Sequence, residues 1–193
     1  MESSEEKIQI VAFSTNETQQ TPNDILNIFL EQQNHLILKK SRHAIAFSTQ
    51  LTDSSKSIKI MICSVLNLTR EYTGITDVNC YLLFIDLEKE DSKEKFDLIL
   101  NYAKDYCELT KKLYVLGMVS GNEEETKHIT KNDIIKILDM NQVNYEYKEI
   151  NLSNAKQVSD TIMSVLVYSS KHSISGDKEN DKDGGQAGSC IIY

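Results

Sequence analysis

Residues 45–87 decide the fold of this chain, and they read IAFSTQLTDSSKSIKIMICSVLNLTREYTGITDVNCYLLFIDL. Residues 45–51 alternate apolar with small or polar side chains, which is the period-two pattern of a half-buried strand. Residues 58–62 alternate in the same way, and the Asp-Ser-Ser sequence at 53–55 supplies turn chemistry between the two runs. The stretch therefore predicts a β-hairpin. Residues 81–85 are apolar throughout, which is typical of a strand covered on both faces by helices.

Strand and helix patterns alternate along the rest of the chain. Residues 8–13 predict a buried first strand. A helix is expected to follow, with Thr21 as its N-cap, Pro22 at the first helical position and Asp24 at the third. The other predicted elements are a helix from Asp91–Ser92 to about Leu109, a strand at 113–116 ending at Gly117, a helix capped by Thr130 and Asp133, a strand at 145–150, and a last helix to about Tyr168.

Length and composition indicate one globular domain. The chain has 193 residues, of which 40% are hydrophobic and 26% are charged, as is usual for a soluble protein. Its formal net charge of −8 argues against a nucleic-acid binder, which needs cations to replace phosphate counterions. No apolar run has the length of a membrane span, and the MESSEEK start does not resemble a signal peptide. We therefore expect a cytoplasmic protein.

The cysteines and histidines form no pattern that predicts chemistry. Cys63, Cys80 and Cys107 lack the spacing of a metal site, so they are expected to be reduced thiols in the interior. The four histidines have no spacing that indicates a metal site or a nucleophile pair. The sequence therefore predicts no catalytic dyad.

Four short pieces occur in the order and spacing of a known family. HAIAF at 43–47 stands where that family has Ile-Gly-Val-Asp-Phe, and residues 58–64 stand on the strand that normally ends in Trp-Asp-Thr-Ala-Gly. YTGIT at 72–76 is similar to Phe-Arg-Ser-Ile-Thr of switch II, and FIDL at 84–87 to Val-Tyr-Asp-Val. On these pieces the chain resembles Ras-superfamily small GTPases of the Rab type, over roughly residues 6–170.

The resemblance implies an α/β fold: a Ras-like doubly wound, mostly parallel six-stranded sheet with helices on both faces. We expect its one antiparallel strand to lie at the edge of the sheet. Residues 1–171 would form this domain. Residues 172–193, rich in Gly, Ser, Asp, Lys and Asn, would be a disordered tail. The segment from Glu31 to Arg42 would be the first switch, polar and mobile.

The phosphate-binding loop that the resemblance implies is degraded. Such a loop needs glycines whose N–H groups converge on phosphate, a Lys, and a Ser or Thr hydroxyl for magnesium. Between Ser14 and Asp24 there is neither Gly nor Lys. Thr21, Pro22 and Asn23 stand around the positions of the Lys-Ser or Lys-Thr pair, and Pro22 has no N–H to donate.

The later nucleotide motifs are degraded as well. Residues 63–66 (CSVL) replace Asp-Thr-Ala-Gly, residues 117–121 (GMVSG) replace Gly-Asn-Lys-x-Asp, and residues 151–153 (NLS) replace Ser-Ala-Lys. The metal-associated carboxylate, the glycine that senses the terminal phosphate and the base-reading carboxylate are all absent. Without them phosphoryl transfer has no stabilisation, so we expect no enzyme activity, no cofactor and no metal. The degenerate positions are Cys63, Leu66, Met118, Gly121 and Asn151.

These observations favour a nucleotide-independent Ras-fold scaffold or adaptor with protein partners, in membrane trafficking or in an intracellular complex. One alternative is a divergent GTP-binding Rab-like switch with a rebuilt site. A second is an unrelated α/β binding domain. Cys190-Ile191-Ile192-Tyr193 resembles a prenylation box, although Tyr is outside the usual last residues. The other interpretation of these four residues is an apolar C-terminus that packs against the protein.

We predict that Cys190 carries an isoprenyl group and that Cys190→Ser makes the protein fully soluble. One lipid supports only reversible membrane binding. The acidic residues of the tail, which outnumber Lys178 and Lys182, would be repelled by an anionic leaflet, so association should depend on a protein partner. Intact-mass measurement on protein from its own cells tests this. An unmodified C-terminus ending in Tyr193, with unchanged location for Cys190→Ser, would contradict it.

Overall fold

The computed structural model describes residues 7–16, 20–33, 36–40, 44–51, 54–64, 78–107, 111–121 and 127–171. These residues form an α/β fold with one mixed sheet of seven strands and four helices. The elements in chain order are β1 (Lys7–Ser14), α1 (Gln20–Gln33), β2 (Leu36–Lys40), β3 (Ala44–Leu51), β4 (Ser54–Ser64), β5 (Cys80–Asp86), α2 (Ser92–Tyr106), β6 (Leu113–Val119), α3 (Lys131–Met140), β7 (Tyr145–Asn151) and α4 (Ala155–Lys171).

The strands lie in the order β2-β3-β4-β1-β5-β6-β7. β3 pairs antiparallel with both β2 and β4, and the remaining neighbours pair in parallel. Only β3 therefore runs against the other six strands. The α/β class is as expected, but two details of the expected sheet were wrong. The sheet has seven strands instead of six, and its antiparallel strand is second from the edge.

The additional strand is β2, and it replaces most of the predicted switch. We expected a polar, mobile segment from Glu31 to Arg42. Instead α1 continues to Gln33, and β2 pairs with β3, with a β-bulge between Ile37 and Lys39. The Leu-Ile-Leu run of β2 suits a strand, and β3 offers unpaired backbone groups at its outer edge. Residues 34–35 and 41–43 of the predicted switch lie outside the described residues.

The predicted hairpin is confirmed as the pair β3 and β4. Leu51 lies opposite Ser54, so Ser54 and Ser55, which were expected in the turn, already belong to β4. Residues 52 and 53 lie outside the described part of the chain. The backbone of the two serines is used in cross-strand pairing, which leaves a shorter turn than the sequence predicts.

Two hydrophobic clusters separate the sheet from its helices. The first contains the apolar faces of α1 and α4, and the second contains those of α2 and α3. Successive residues of β1 alternate between the clusters, since Ile10 and Ala12 belong to the first and Val11 and Phe13 to the second. The parallel strands β1 and β5 are therefore buried on both faces, as a sheet covered by two helix layers requires.

Capping residues begin two of the helices. Thr130 and Asp133 form the predicted capping box, since the Asp133 amide donates to Thr130 Oγ1 at 3.2 Å and the Thr130 amide to Asp133 Oδ2 at 3.0 Å. Asn154 accepts from the Gln157 amide at 3.0 Å and caps α4. These bonds satisfy amides that a helix start otherwise leaves without a partner.

The other element ends differ from expectation by a few residues. Thr21 is not the N-cap of α1, because the helix begins at Gln20. Pro22 is then the third helical residue, where a missing N–H still costs no intrahelical bond. β6 does not end at Gly117 but continues to Val119, because β7 pairs with it to that point. α2 ends at Tyr106, and the next residue already has extended backbone. Residues 108–110 lie outside the described residues.

Thr130→Ala is expected to lower the free energy of unfolding by about 1 kcal/mol, because it removes the cap of α3. Hydrogen bonding from Thr130 lowers the pKa of Asp133, so the part of this contribution that comes from bonds to the Asp133 carboxylate is present above the ordinary Asp pKa. It is lost as the pH falls through the lowered folded-state value. Urea unfolding at neutral and acidic pH tests both points. Asn132→Ala, an exposed change in the same turn, is the control. Equal midpoints for Thr130→Ala and wild type would contradict the prediction.

Candidate functional site

The carboxyl ends of the parallel strands β1, β5, β6 and β7 meet at one edge of the sheet, where open α/β sheets usually bind ligands. We define this carboxyl edge by the residues at and just after each strand end. Each group lies at or directly after the end of its strand, and the strand pairing places all four side by side. They are 14–16 after β1, 86–89 after β5, 120–121 after β6 and 151–153 after β7.

The polar residues after β1 are bound by protein groups. Ser14, Thr15 and Asn16 are buried. The Asp86 amide donates to Thr15 Oγ1 at 3.1 Å, and Lys89 Nζ donates to Asn16 Oδ1 at 2.7 Å. The Lys89 ammonium also lies 3.7 Å from an Asp86 carboxylate oxygen. Lys89 is therefore bound by side chains of the protein itself.

Glu88 joins the loops that follow β5 and β6. One of its carboxylate oxygens accepts from the Ser120 amide at 3.0 Å, and the other accepts from the Ser120 hydroxyl. The hydrogen bond with the Ser120 side chain lowers the pKa of Glu88 below its ordinary value. The charged carboxylate thus fixes the loop in which the resemblance places the base-reading residues.

The residues after β7 bind the same loop from its other side. Ser153 Oγ donates to the Ser120 carbonyl at 3.0 Å, and Asn151 Nδ2 donates to the Gly121 carbonyl at 3.3 Å. Asn151 also accepts from the Ser153 amide at 2.9 Å. The loop after β6 is consequently hydrogen-bonded on both sides, by Glu88 and by the end of β7.

An open groove of about 770 Å³ lies beside the start of α2. Its described lining residues carry four carboxylates and two ammonium groups, so the lining has a net negative charge. A phosphate there would meet more like charges than opposite ones, which is unfavourable for an anion. The lining residues are Lys89, Glu90, Asp91, Lys93, Glu94 and Asp97.

Only some of the degenerate positions come together at the carboxyl edge. Gly121 and Asn151 are in contact there, whereas Met118 is buried in the cluster beneath α4. Pro22 and Asn23 lie in the first turn of α1. Thr21 is described only as part of the α1 backbone, and Cys63 only as part of β4, opposite Phe13. Leu66 and Cys190 lie outside the described residues.

Sequence reasoning missed Glu88, Ser120 and Thr15. Thr15 and Ser120 directly follow buried apolar strands, and Glu88 lies two residues after one. That position was a usable signal because the ends of parallel strands meet at one edge. Of the predicted interior thiols, Cys80 is buried beside Ser169, with 2.9 Å between Sγ and Oγ. Burial raises its pKa to about 12. Cys107 is only partly buried.

Gly117, the one residue retained from the base-reading motif, has a packing role. A Cβ at this position would lie 2.6 Å from Tyr147 Oη and 3.0 Å from Leu87 Cδ1. Tyr147 Oη donates to a Glu149 oxygen at 3.0 Å, and Glu149 pairs with Lys127 at 2.7 Å. The glycine therefore makes room for a bonded tyrosine, independently of any nucleotide.

We predict that Gly117→Ala lowers the free energy of unfolding by about 1–3 kcal/mol, the usual cost of overpacking. Tyr147→Phe removes the closest oxygen, so the added methyl should cost less in that background. A double-mutant cycle by chemical denaturation measures the difference. Gly121→Ala is the control, because no non-neighbouring atom of the described residues lies within 4 Å of a Cβ added at this position. Equal costs at 117 and 121 would show that the close approach to Tyr147 is unimportant.

Two negative findings concern the described residues alone. They contain no group of three or more His, Cys, Asp or Glu side chains that could bind a metal ion. None of their helices has the length and hydrophobicity needed to cross a membrane. In comparisons with known proteins, no protein-family model matches this chain, and no curated protein is significantly similar to it.

Proposed function

We propose that this chain is a nucleotide-independent Ras-like domain that serves as a protein scaffold or adaptor, in membrane trafficking or in an intracellular complex. A peripheral membrane attachment through a lipid on Cys190 belongs to the same proposal. The strand order supports the Ras-like part, since β3-β4-β1-β5-β6-β7 is a mostly parallel sheet with one antiparallel strand. β2 extends that arrangement at its edge.

The observation that carries the proposal is the internal bonding of the carboxyl edge. Ser120 and Gly121 lie where the resemblance places the base-reading carboxylate, and their polar groups bind Glu88, Asn151 and Ser153. A purine that docked there would have to break these bonds first. Glu88 would then lose the Ser120 amide and hydroxyl that stabilise its charged form. Such bonding suits a domain whose function does not require this loop to open.

Electrostatics supports the same conclusion. The lysine of a phosphate loop neutralises the outer phosphates, whereas Lys89 is engaged by Asn16 and Asp86. The groove next to it is lined mostly by carboxylates. We therefore expect this edge to offer few favourable contacts either to the base or to the phosphates of a nucleotide. The surface that remains for function is one that contacts other proteins.

We predict no measurable affinity for GTP or GDP at micromolar nucleotide. Isothermal calorimetry on the purified chain with magnesium tests this, and a Rab-type GTPase titrated in parallel is the positive control. Protein recovered from its own cells should contain co-purifying proteins but release no nucleotide on denaturation. A stoichiometric isotherm, or released nucleotide, would instead identify a divergent GTP-binding switch.

A further inference from the structure

One end of the sheet is basic in an otherwise acidic chain. The strands β2, β3 and β4 contain no Asp or Glu, whereas the whole chain has a formal net charge of −8. Four lysines lie on these strands, at positions 39, 40, 56 and 59. This separation of charge indicates a surface that attracts anionic groups.

Two of these lysines lie on one face in a single cross-strand row. Lys39 is opposite Ala46, which in turn is opposite Lys59. Because strands lie 4.7–4.9 Å apart, the two lysines are about 9.5 Å apart at the backbone. Both are exposed. Within the described residues neither has an acidic partner, whereas Lys95, Lys112 and Lys127 each pair with a carboxylate.

The face that carries this row is not covered by the described helices. The hydrophobic cluster beneath α2 and α3 includes no residue of β2 or β3. On the opposite face Lys40 donates to Asn27 Oδ1 of α1 at 2.6 Å. The Lys39–Lys59 row is therefore the accessible one, with the half-buried Ala46 between its two charges.

The backbone of β2 is also accessible. β2 ends the sheet and pairs only with β3 among the described strands, so its outer N–H and C=O groups can pair with a further strand. Two of its side chains are large, apolar and exposed, since Ile37 keeps 47% and Leu38 52% of their surface. An edge of this kind recognises extended peptides by strand addition.

We propose that β2, together with the Lys39–Lys59 row, binds an extended acidic peptide of a protein partner as an eighth strand. Peptide carboxylates on alternate residues would project from one face, where they meet Lys39 and Lys59. The apolar peptide residues that alternate with these carboxylates would project from the opposite face and contact the side of β2 that faces α1. A second copy of this chain fits less well, because lysines on an edge strand oppose self-pairing. This inference rests on the proposed scaffold function and names its surface.

The test uses the full chain and a fluorescein-labelled decapeptide of alternating Glu and Val, measured by fluorescence anisotropy. Saturable binding is expected. The double variant Lys39→Glu with Lys59→Glu should weaken it roughly tenfold or more, since two surface ion pairs are replaced by repulsion. Lys136→Glu, the same exposed charge change on α3, is the matched control and should bind as wild type does.

Two further probes separate strand addition from general attraction of charges. A Glu-Val peptide N-methylated at alternate residues keeps its charge but loses one row of amides, so it should not bind. Hydrogen exchange should slow at residues 36–40 when the unmethylated peptide is bound. Equal binding of both peptides, equal affinity of the double variant and Lys136→Glu, or no binding at all would each overturn the proposal.

Self-association is decided by sedimentation of the chain without peptide. A dimer with slow exchange at residues 36–40 would mean that a second copy occupies β2, which would also overturn the proposal. A monomer that binds the peptide supports it. Nucleotide calorimetry is independent of β2, so failure of peptide binding with no nucleotide affinity would leave the proposed function intact and reject only this surface.

Discussion

Burial of β1 and β5 on both faces is the constraint on which the rest of the structure depends. Alternate side chains such as Ala12 and Phe13 enter different hydrophobic clusters, one beneath α1 and α4 and the other beneath α2 and α3. A shift of one residue in either strand would exchange the two sets of side chains. The register of the parallel strands is therefore strongly determined, and with it the positions at which each strand reaches the carboxyl edge.

That register brings the loops after β5, β6 and β7 within hydrogen-bonding distance. Because β6 and β7 pair as far as Val119 and Asn151, Ser120 emerges between Glu88 on one side and Ser153 on the other. The polar groups at these strand ends no longer have partners in the sheet, and they form hydrogen bonds with one another instead. A place where many α/β proteins bind a ligand is here a set of bonds within the protein.

The two ends of the molecule consequently differ in what they offer. The carboxyl edge is bonded internally and its neighbouring groove is acidic, so it has little to attract a nucleotide. The β2 edge has exposed apolar side chains and lysines with no acidic neighbours on their own strands. The groups that remain able to bind a ligand through charge or hydrogen bonds therefore lie at the β2 edge, and not in the loops at the carboxyl edge. This distribution is consistent with the protein-binding function that we propose.

Local patterns in the sequence determined the alternation of strands and helices, the β3–β4 hairpin, and the capping box at Thr130, because each depends on residues close together in the chain. The tertiary structure alone decided three further features. β2 is a strand because β3 presents an open edge to it, and Gly117 lies inside β6 because β7 pairs beyond it. Glu88 meets Ser120 because parallel pairing joins strand ends that are 32 residues apart in sequence. Such contacts depend on which strands become neighbours, and a pattern read along one segment carries no information about that choice.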